Sequence, residues 1–289
     1  MDPLGLVNLS KLMNLTRGTP EISIGLIDGP VVVSHPDLVG ESIREIHGKD
    51  SGACAIASST ACMHGTFVAG ILSARRGSGA PAICPDCTLL VRPIYAEATH
   101  VESLPIATSQ ELAAALIECI GSGAGIINLS GALAHPSSKG EHDLEEALDH
   151  AARRGVILVA AAGNQGAVGG SAITRHPWVI PVIACDAGGR PINNSNLGSS
   201  IGRRGLSAPG RNITSLGVEG KLRTSGGTSA AAPYVTGSIA LLWSLFPNAS
   251  AAEVKLAVTQ AHTARRNTIV PPLLDAWKSY QVMKASAES

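Results

Sequence analysis

The chain alternates short apolar strands with helices, and this alternation is the feature that most constrains its fold. The strands are apolar along their whole length, whereas a sheet with one exposed face would alternate apolar and polar residues. They are predicted at residues 21–27, 88–91, 125–129, 155–162 and 179–184, with a brief extended piece at 206–210. Strands of this kind are buried on both faces of a sheet. The sequence therefore predicts an α/β protein: a three-layer α/β/α fold with a mostly parallel central sheet.

Length and composition fit one large domain. The chain has 289 residues, of which 45% are hydrophobic and 15% charged, so a sizeable core can form and disorder is not expected. Two smaller domains are the alternative at this length, but no internal repeat, linker or low-complexity tract divides the chain. We predict a single domain over residues 1–289, with an N-terminal extension at 1–20, a core at 21–261 and a C-terminal helix within 262–289.

Charge and hydropathy argue against several kinds of partner. Lys+Arg and Asp+Glu both number 22, so neither a nucleic acid nor an anionic membrane is indicated as the main partner. The N-terminal residues lack the apolar run of a signal peptide, and no segment has the roughly 18 unbroken apolar residues of a membrane span. A cytoplasmic location is the expectation, and the oligomeric state is left open.

The six cysteines do not form a recognisable metal motif. Cys84 and Cys87 have a CxxC spacing, but no second CxxC and no nearby histidine pair completes a zinc set. Cys119 and Cys185 lie in apolar segments and are predicted to be buried thiols. Either a Cys54–Cys62 or a Cys84–Cys87 pairing is compatible with the sequence. We expect no metal site and no cofactor.

Residues 226–237 are the stretch that most suggests chemistry. Two glycines bring the backbone to Ser229, and small residues then open an apolar run that reaches Phe246. A helix beginning at Ser229 would present the hydroxyl beside free N–H groups, which can bind an anion. Taken alone, small residues around a serine are more often a sign of close helix packing.

Three other polar residues are predicted to share an edge of the sheet with Ser229. Asp28 ends the first strand, where a simple turn is the alternative interpretation; Asn164 follows the strand at 155–162, and His64 opens an apolar helix. Ligands of open parallel sheets bind beyond the carboxyl ends of the strands. A nucleophile, a base, a carboxylate and an amide donor at one edge are the groups that acyl transfer requires.

Four blocks of the sequence resemble those of the subtilisin-like serine peptidases. They are residues 26–29 with 35–38, residues 64–70, residues 161–164 and residues 227–233. The resemblance covers about residues 21–261. It implies that Ser229 is the nucleophile, that His64 is the general base and that Asp28 orients His64. It also implies that the Asn164 amide and the Ser229 N–H bind the oxyanion.

The resemblance also implies where a peptide substrate would bind. An extended peptide would pair with the backbone of one segment, and a second segment would form the wall of the primary side-chain pocket. The residues of these two segments are Leu129, Ser130 and Gly131, and Ala161, Ala162 and Gly163.

Three further features resemble those of the cytoplasmic proteases that process cyanobactin-type ribosomal peptides. Two are sequence patterns: Ile-Asp-Gly-Pro-Val at residues 27–31 and Ala-Pro-x-x-x-Pro-x-Cys at 80–87. The third is the short stretch before Asp28, in which we expect no folding pro-domain. Hydrolysis of a precursor peptide is therefore the expectation. Residues 35–63 are too short for the helical insertion of the related macrocyclases. A transamidating macrocyclase, a general cytoplasmic peptidase and an inactive peptide-binding module are the alternatives.

Overall fold

The computed structural model of the chain describes residues 2–38, 40, 42–46, 54–56, 58–95, 97, 107–130, 141–260 and 268–288. Within these residues the central sheet has seven strands in the order β2-β3-β1-β4-β5-β6-β7, and every pair is parallel. The strands are β1 (Ser23–Asp28), β2 (Ile43–Glu45), β3 (Thr88–Pro93), β4 (Ile126–Leu129), β5 (Ile157–Ala161), β6 (Val179–Cys185) and β7 (Leu206–Pro209). The predicted parallel sheet is confirmed, with β2 as an additional short edge strand.

Helices cover both faces of this sheet. They are α1 (Pro3–Leu6), α2 (Leu9–Met13), α3 (Thr60–Ser73), α4 (Ser109–Gly121), α5 (Glu141–Arg153), α6 (Ala172–Arg175), α7 (Ser199–Arg204), α8 (Thr228–Leu245), α9 (Ala251–Gln260) and α10 (Ala276–Ala287). None of these helices combines the length and apolar character needed to cross a membrane.

Successive residues of the central strands point into two separate layers of core. Ile24 and Leu26 of β1 pack with α2, α3 and α8 on one face, whereas Ile27 packs with α4 and α5 on the other. This alternation explains why the strands are apolar throughout, since neither face of the pleat meets water. Helix α8 is buried from Thr228 to Leu242, which explains why its sequence is apolar on all sides.

Strand β1 lies at the point where the sheet grows in two directions. It pairs with β3 on one side and with β4 on the other, so Asp28 lies opposite Pro93 and Ile27 lies opposite Leu129. Such a reversal opens a crevice at the carboxyl ends of the strands, where ligands of open α/β sheets bind. Asp28 is the last residue of β1 and therefore faces this crevice.

A short antiparallel hairpin leads the chain into α8. Its strands are β8 (Ile213–Leu216) and β9 (Leu222–Ser225), and it packs against α3, where the Ser215 hydroxyl donates to the Phe67 carbonyl at 2.8 Å. The sequence pattern predicts no strands here. The hairpin matters because β9 ends one residue before the Gly226–Gly227 turn that carries Ser229.

Candidate active site

Asp28 is completely buried at the end of β1. Its Oδ1 accepts the Gly29 N–H at 2.6 Å and lies 2.6 Å from His64 Nδ1. No described residue hydrogen-bonds to its Oδ2, which is also buried. A carboxylate with so few donors in a low-dielectric environment interacts strongly with the single imidazole that reaches it.

His64 lies in the second turn of α3 rather than at the helix terminus that the sequence predicted. Helix α3 begins at Thr60 because the Ser59 side chain caps it, accepting the Cys62 N–H at 3.1 Å. The His64 side chain is 16% exposed, so one edge of the ring remains open to the crevice.

Two glycines allow α3 to approach the Asp28 loop closely. A Cβ on Gly29 would lie 2.0 Å from the Ala61 carbonyl oxygen, and a Cβ on Gly65 would lie 2.3 Å from the Gly29 carbonyl oxygen. Either side chain would push the helix away from the loop. The pair of glycines therefore fixes the distance at which His64 meets Asp28.

A disulfide and the Glu97 carboxylate also hold the loop that leads into the N-terminal end of α3. Cys54 and Cys62 are disulfide-bonded, with a Cα–Cα distance of 5.7 Å. Glu97 accepts the N–H groups of Ala55 and Ile56 at 2.8 and 2.9 Å, and its Oε1 lies 3.3 Å from the Ser59 hydroxyl. Of the two pairings that the sequence left open, the structure therefore forms the one beside His64.

The other four cysteines are buried thiols, as predicted for Cys119 and Cys185. Burial raises the pKa of the Cys119 thiol to about 12. Cys84 and Cys87 share a hydrogen bond that raises the pKa of Cys84 and lowers the pKa of Cys87, as expected when the Cys84 thiol is the donor.

Ser229 is the second residue of α8, and its hydroxyl lies 2.9 Å from His64 Nε2. Three of the first four N–H groups of α8 have acceptors. Thr228 N–H donates to Asn164 Oδ1 at 2.9 Å, and the N–H groups of Ala230 and Ala231 both point to the Gly227 carbonyl. No described residue accepts the Ser229 N–H. That donor remains available to an anion beside the hydroxyl.

Gly227 makes this turn possible. Its φ is +107°, a conformation that favours glycine, and a Cβ there would lie 3.1 Å from the Asn164 side-chain amide. The Gly227 N–H donates to the Gly210 carbonyl at 2.7 Å, which fixes the turn against the loop after β7. A bulkier residue would strain the backbone and displace Asn164 at the same time.

The Asn164 side chain is oriented by Thr228, a residue that the sequence analysis did not single out. Asn164 Oδ1 accepts both the Thr228 N–H at 2.9 Å and the Thr228 hydroxyl at 3.1 Å. With the oxygen engaged, the amide NH₂ is left as a donor, and no described residue accepts it. Two donors, the Asn164 NH₂ and the Ser229 N–H, therefore lie at the same turn.

A series of buried, hydrogen-bonded side chains reaches the Ser229 carbonyl, and no sequence motif predicts it. Pro233 has no N–H, so the Ser229 carbonyl four residues earlier lacks its intrahelical donor. Its oxygen lies 3.4 Å from the Ser130 hydroxyl. That hydroxyl accepts from Asn128 at 2.6 Å, and Asn128 in turn accepts from Thr236 at 2.8 Å. The one sequence feature that indicates such a contact is Pro233, because a proline inside a helix leaves a carbonyl without its helical donor.

The structure brings most of the predicted substrate-binding residues to the same edge. Leu129 is the last residue of β4 and Ser130 follows it, and the Gly163 N–H, two residues after β5, donates to the Thr228 hydroxyl at 3.2 Å. Ala161 and Ala162 precede it directly. Gly131 lies outside the described residues. That these segments bind a peptide remains a prediction.

Comparison with known proteins agrees with this geometry. A model described as the subtilase family, Peptidase_S8, matches residues 19–274. The thermophilic serine proteinase of Bacillus sp. (strain AK1) is 32% identical over 233 residues, which are 79% of this chain and 54% of that protein. The chain thus spans about half the length of this relative.

Two solved structures have a similar fold and length. The first, a mutant of the protease domain of PatA, has a TM-score of 0.83 at 29% identity, over 94% of this chain and 98% of its own. The second, the prenylagaramide maturation protease PagA, has a TM-score of 0.82 at 29% identity, over 95% and 98%. The family match covers most of the chain and both structures align almost end to end: this protein belongs to the subtilase family.

Proposed function

We propose that this chain is a serine endopeptidase that hydrolyses peptide bonds through an acyl-enzyme at Ser229. The observation that carries the proposal is the continuous contact from Asp28 Oδ1 to His64 Nδ1 and from His64 Nε2 to Ser229 Oγ, at 2.6 and 2.9 Å. These distances are within the range over which a base and a nucleophile exchange a proton.

In the first half of the reaction, Ser229 Oγ forms a bond to the scissile carbonyl carbon and His64 Nε2 takes the hydroxyl proton. Asp28 holds the tautomer of His64 with its proton on Nδ1 and stabilises the imidazolium. The carbonyl oxygen becomes an oxyanion, which the Ser229 N–H and the Asn164 NH₂ bind. His64 then protonates the leaving amine, and the C–N bond breaks.

In the second half, water takes the place of the leaving amine. His64 removes a proton from the water, whose oxygen attacks the acyl carbon of the ester to Ser229. The same two donors bind the second oxyanion. Collapse of this intermediate breaks the bond to Ser229 Oγ, returns the proton to the hydroxyl and releases the carboxylate product.

A ribosomally made precursor peptide is the proposed substrate. Support comes from the alignment over nearly the full length of PagA, whose name describes it as a maturation protease. Residues 129–131 and 161–163 are the proposed binding segments for the part of the substrate before the cut. A cytoplasmic site of action remains a prediction from the sequence.

Cleavage of a degenerate peptide library tests the proposal, with casein as a parallel substrate and mass spectrometry as the readout. Linear products cut at a restricted set of sequences would support precursor processing by hydrolysis. Cyclic products would instead identify a transamidating macrocyclase. Indiscriminate digestion of casein would identify a general peptidase, and no cleavage by the folded protein would leave a binding module.

A further inference from the structure

An arginine on the hairpin that leads to Ser229 contacts the residue that precedes the candidate general base. The Arg223 guanidinium, on β9, is 2.8 Å from the sulfur of Met63, and Met63 immediately precedes His64 in α3. Both Arg223 and Met63 are partly exposed. A thioether is only a weak acceptor, and in the described part of the chain no carboxylate contacts this guanidinium. A permanent positive charge therefore contacts the residue next to His64 in the sequence, with no matching anion among the described residues.

The chemistry indicates which part of a substrate would pass this charge. His64 donates a proton to the leaving amine, so the segment after the cut must depart on the His64 side of Ser229. The proposed binding residues for the segment before the cut end and follow β4 and β5 in the central sheet. Arg223 is on the separate β8–β9 hairpin, packed against α3. Arg223 therefore lies on the α3 side, where the mechanism would direct the leaving segment.

A polar cavity extends from the nucleophile turn along the same hairpin. Its volume is about 780 Å³, and its walls include Thr224, Ser225, Gly226 and Gly227. The cavity reaches Gly227, two residues before Ser229, and is large enough for side chains of a bound peptide.

The charged groups around this cavity leave an excess of positive charge. Its charged lining residues are Asp186, Arg190 and Arg211. The Asp186 carboxylate is already engaged by the N–H groups of Gly188 and Arg190 and by the Arg190 guanidinium at 3.1 Å. Arg211 is exposed, and no described residue pairs with it. Its neighbour Gly210 accepts the Gly227 N–H, which holds Arg211 close to the turn.

We propose that this enzyme selects substrates with a carboxylate in the leaving segment, and that Arg223 is the specificity-determining residue that binds it, with Arg211 contributing along the cavity. The inference rests on the proposed function. Two sources could supply the carboxylate: an Asp or Glu side chain shortly after the cut, or the C-terminus of a short leaving segment. Arginine presents several donors in a fixed plane that matches a carboxylate.

Matched peptides on the unmodified enzyme provide the first test. One series places Glu, Gln or Lys at successive positions after a known cleavage site, and a second compares a free C-terminus with its amide. We expect kcat/KM to be about tenfold higher for the carboxylate member of one series than for its neutral partner. The series that responds identifies the source. The preference should shrink at 1 M salt, where the Debye length is about 3 Å.

Variants of Arg223 provide the second test. Arg223→Gln should remove the preference by lowering kcat/KM for the carboxylate peptide alone, with the neutral peptide unchanged, and Arg223→Glu should invert it in favour of Lys. Arg223→Lys should retain much of it, because the charge remains. Arg154→Gln, at an exposed arginine just after α5, is the matched control and should leave both peptides unaffected.

Two results would overturn the inference. Equal kcat/KM for carboxylate and neutral peptides on the unmodified enzyme would exclude a carboxylate preference, whether or not any variant folds. A uniform loss of kcat for all peptides in Arg223→Gln would mean that Arg223 merely supports Met63 and His64. Labelling of Ser229 by a fluorophosphonate separates these outcomes from failure of the proposed peptidase mechanism, since labelling does not require a leaving segment.

Discussion

Helices α3 and α8 each carry one residue of the candidate site, but their N-terminal ends differ. At α3, the Ser59 side chain caps the first turn, Glu97 binds the preceding loop, and the Cys54–Cys62 disulfide joins that loop to the helix. At α8 the N-cap residue is Gly227, which has no side chain to offer. The Ser229 N–H is left without an acceptor in the described structure.

This difference indicates what each helix end does. A side-chain cap stabilises its helix by engaging an N–H that would otherwise be free, so α3 acts as a rigid support that holds His64 away from the terminus. At α8 the Asn164 side chain accepts the Thr228 N–H, but the Ser229 N–H stays free for the charge that develops on a substrate. Changes at the N-terminal end of α8 should therefore affect catalysis, whereas changes at the N-terminal end of α3 should affect stability.

The largest effect is expected for Ser229→Ala. Removal of the hydroxyl should lower kcat by at least about 10⁴-fold, because the acyl-enzyme can no longer form. The melting temperature should stay within a few degrees. Ser244→Ala removes another hydroxyl from the same helix and should retain full activity; equal losses in the two variants would contradict a special role for Ser229.

The next largest effect is expected for Asn164→Ala. Loss of one of two oxyanion donors should reduce kcat by about 10²–10³-fold, with a much smaller change in KM, because the donor acts on charge that is absent from the ground state. Steady-state kinetics on a peptide from the library measures both constants. A change confined to KM would mean that Asn164 binds substrate rather than the oxyanion.

At α3 the predicted effect is on stability. Replacing Cys54 and Cys62 together by serine should lower the free energy of unfolding by about 2–4 kcal/mol, because the loop is no longer closed in the unfolded chain. The decrease in kcat should be smaller than the decrease caused by Asn164→Ala. Urea unfolding with and without a dithiol reductant checks this, since the reductant should destabilise the unmodified protein and leave the variant unaffected.

The smallest effect is expected for Ser59→Ala. Loss of the cap should cost about 1 kcal/mol of stability, and kcat/KM should be unchanged at temperatures where the variant is folded. Urea unfolding beside kinetic assays makes the comparison. A catalytic defect larger than that of the double cysteine variant would show that α3 is not simply a rigid support.

Much of the fold and the main site residues could be predicted from the sequence. Continuous apolar strands identify a buried parallel sheet without knowledge of the partners of each strand. Asp28, Asn164 and Ser229 lie at ends of elements, so their placement follows from the topology of the sheet. The start of α3 was predicted four residues too late, because the apolar run begins at His64 whereas the cap that begins the helix is Ser59.

The supporting contacts could not be predicted in the same way. Thr228 is 64 residues from Asn164, and Ser130 is 99 residues from Ser229, so their hydrogen bonds depend on distances that only the folded chain defines. The choice between the Cys54–Cys62 and Cys84–Cys87 pairings also depended on packing. Hairpin β8–β9 has strands of four residues, which are too short for a clear periodic signal.

The most direct test of Ser229 as the nucleophile is the reaction of the folded protein with a fluorophosphonate probe, followed by intact-mass measurement and peptide mapping. We expect one adduct per chain, located on Ser229, formed more slowly in Asn164→Ala and absent in Ser229→Ala. A folded protein that does not react, or an adduct on another residue, would contradict the assignment of Ser229 as an activated nucleophile at the N-terminal end of α8.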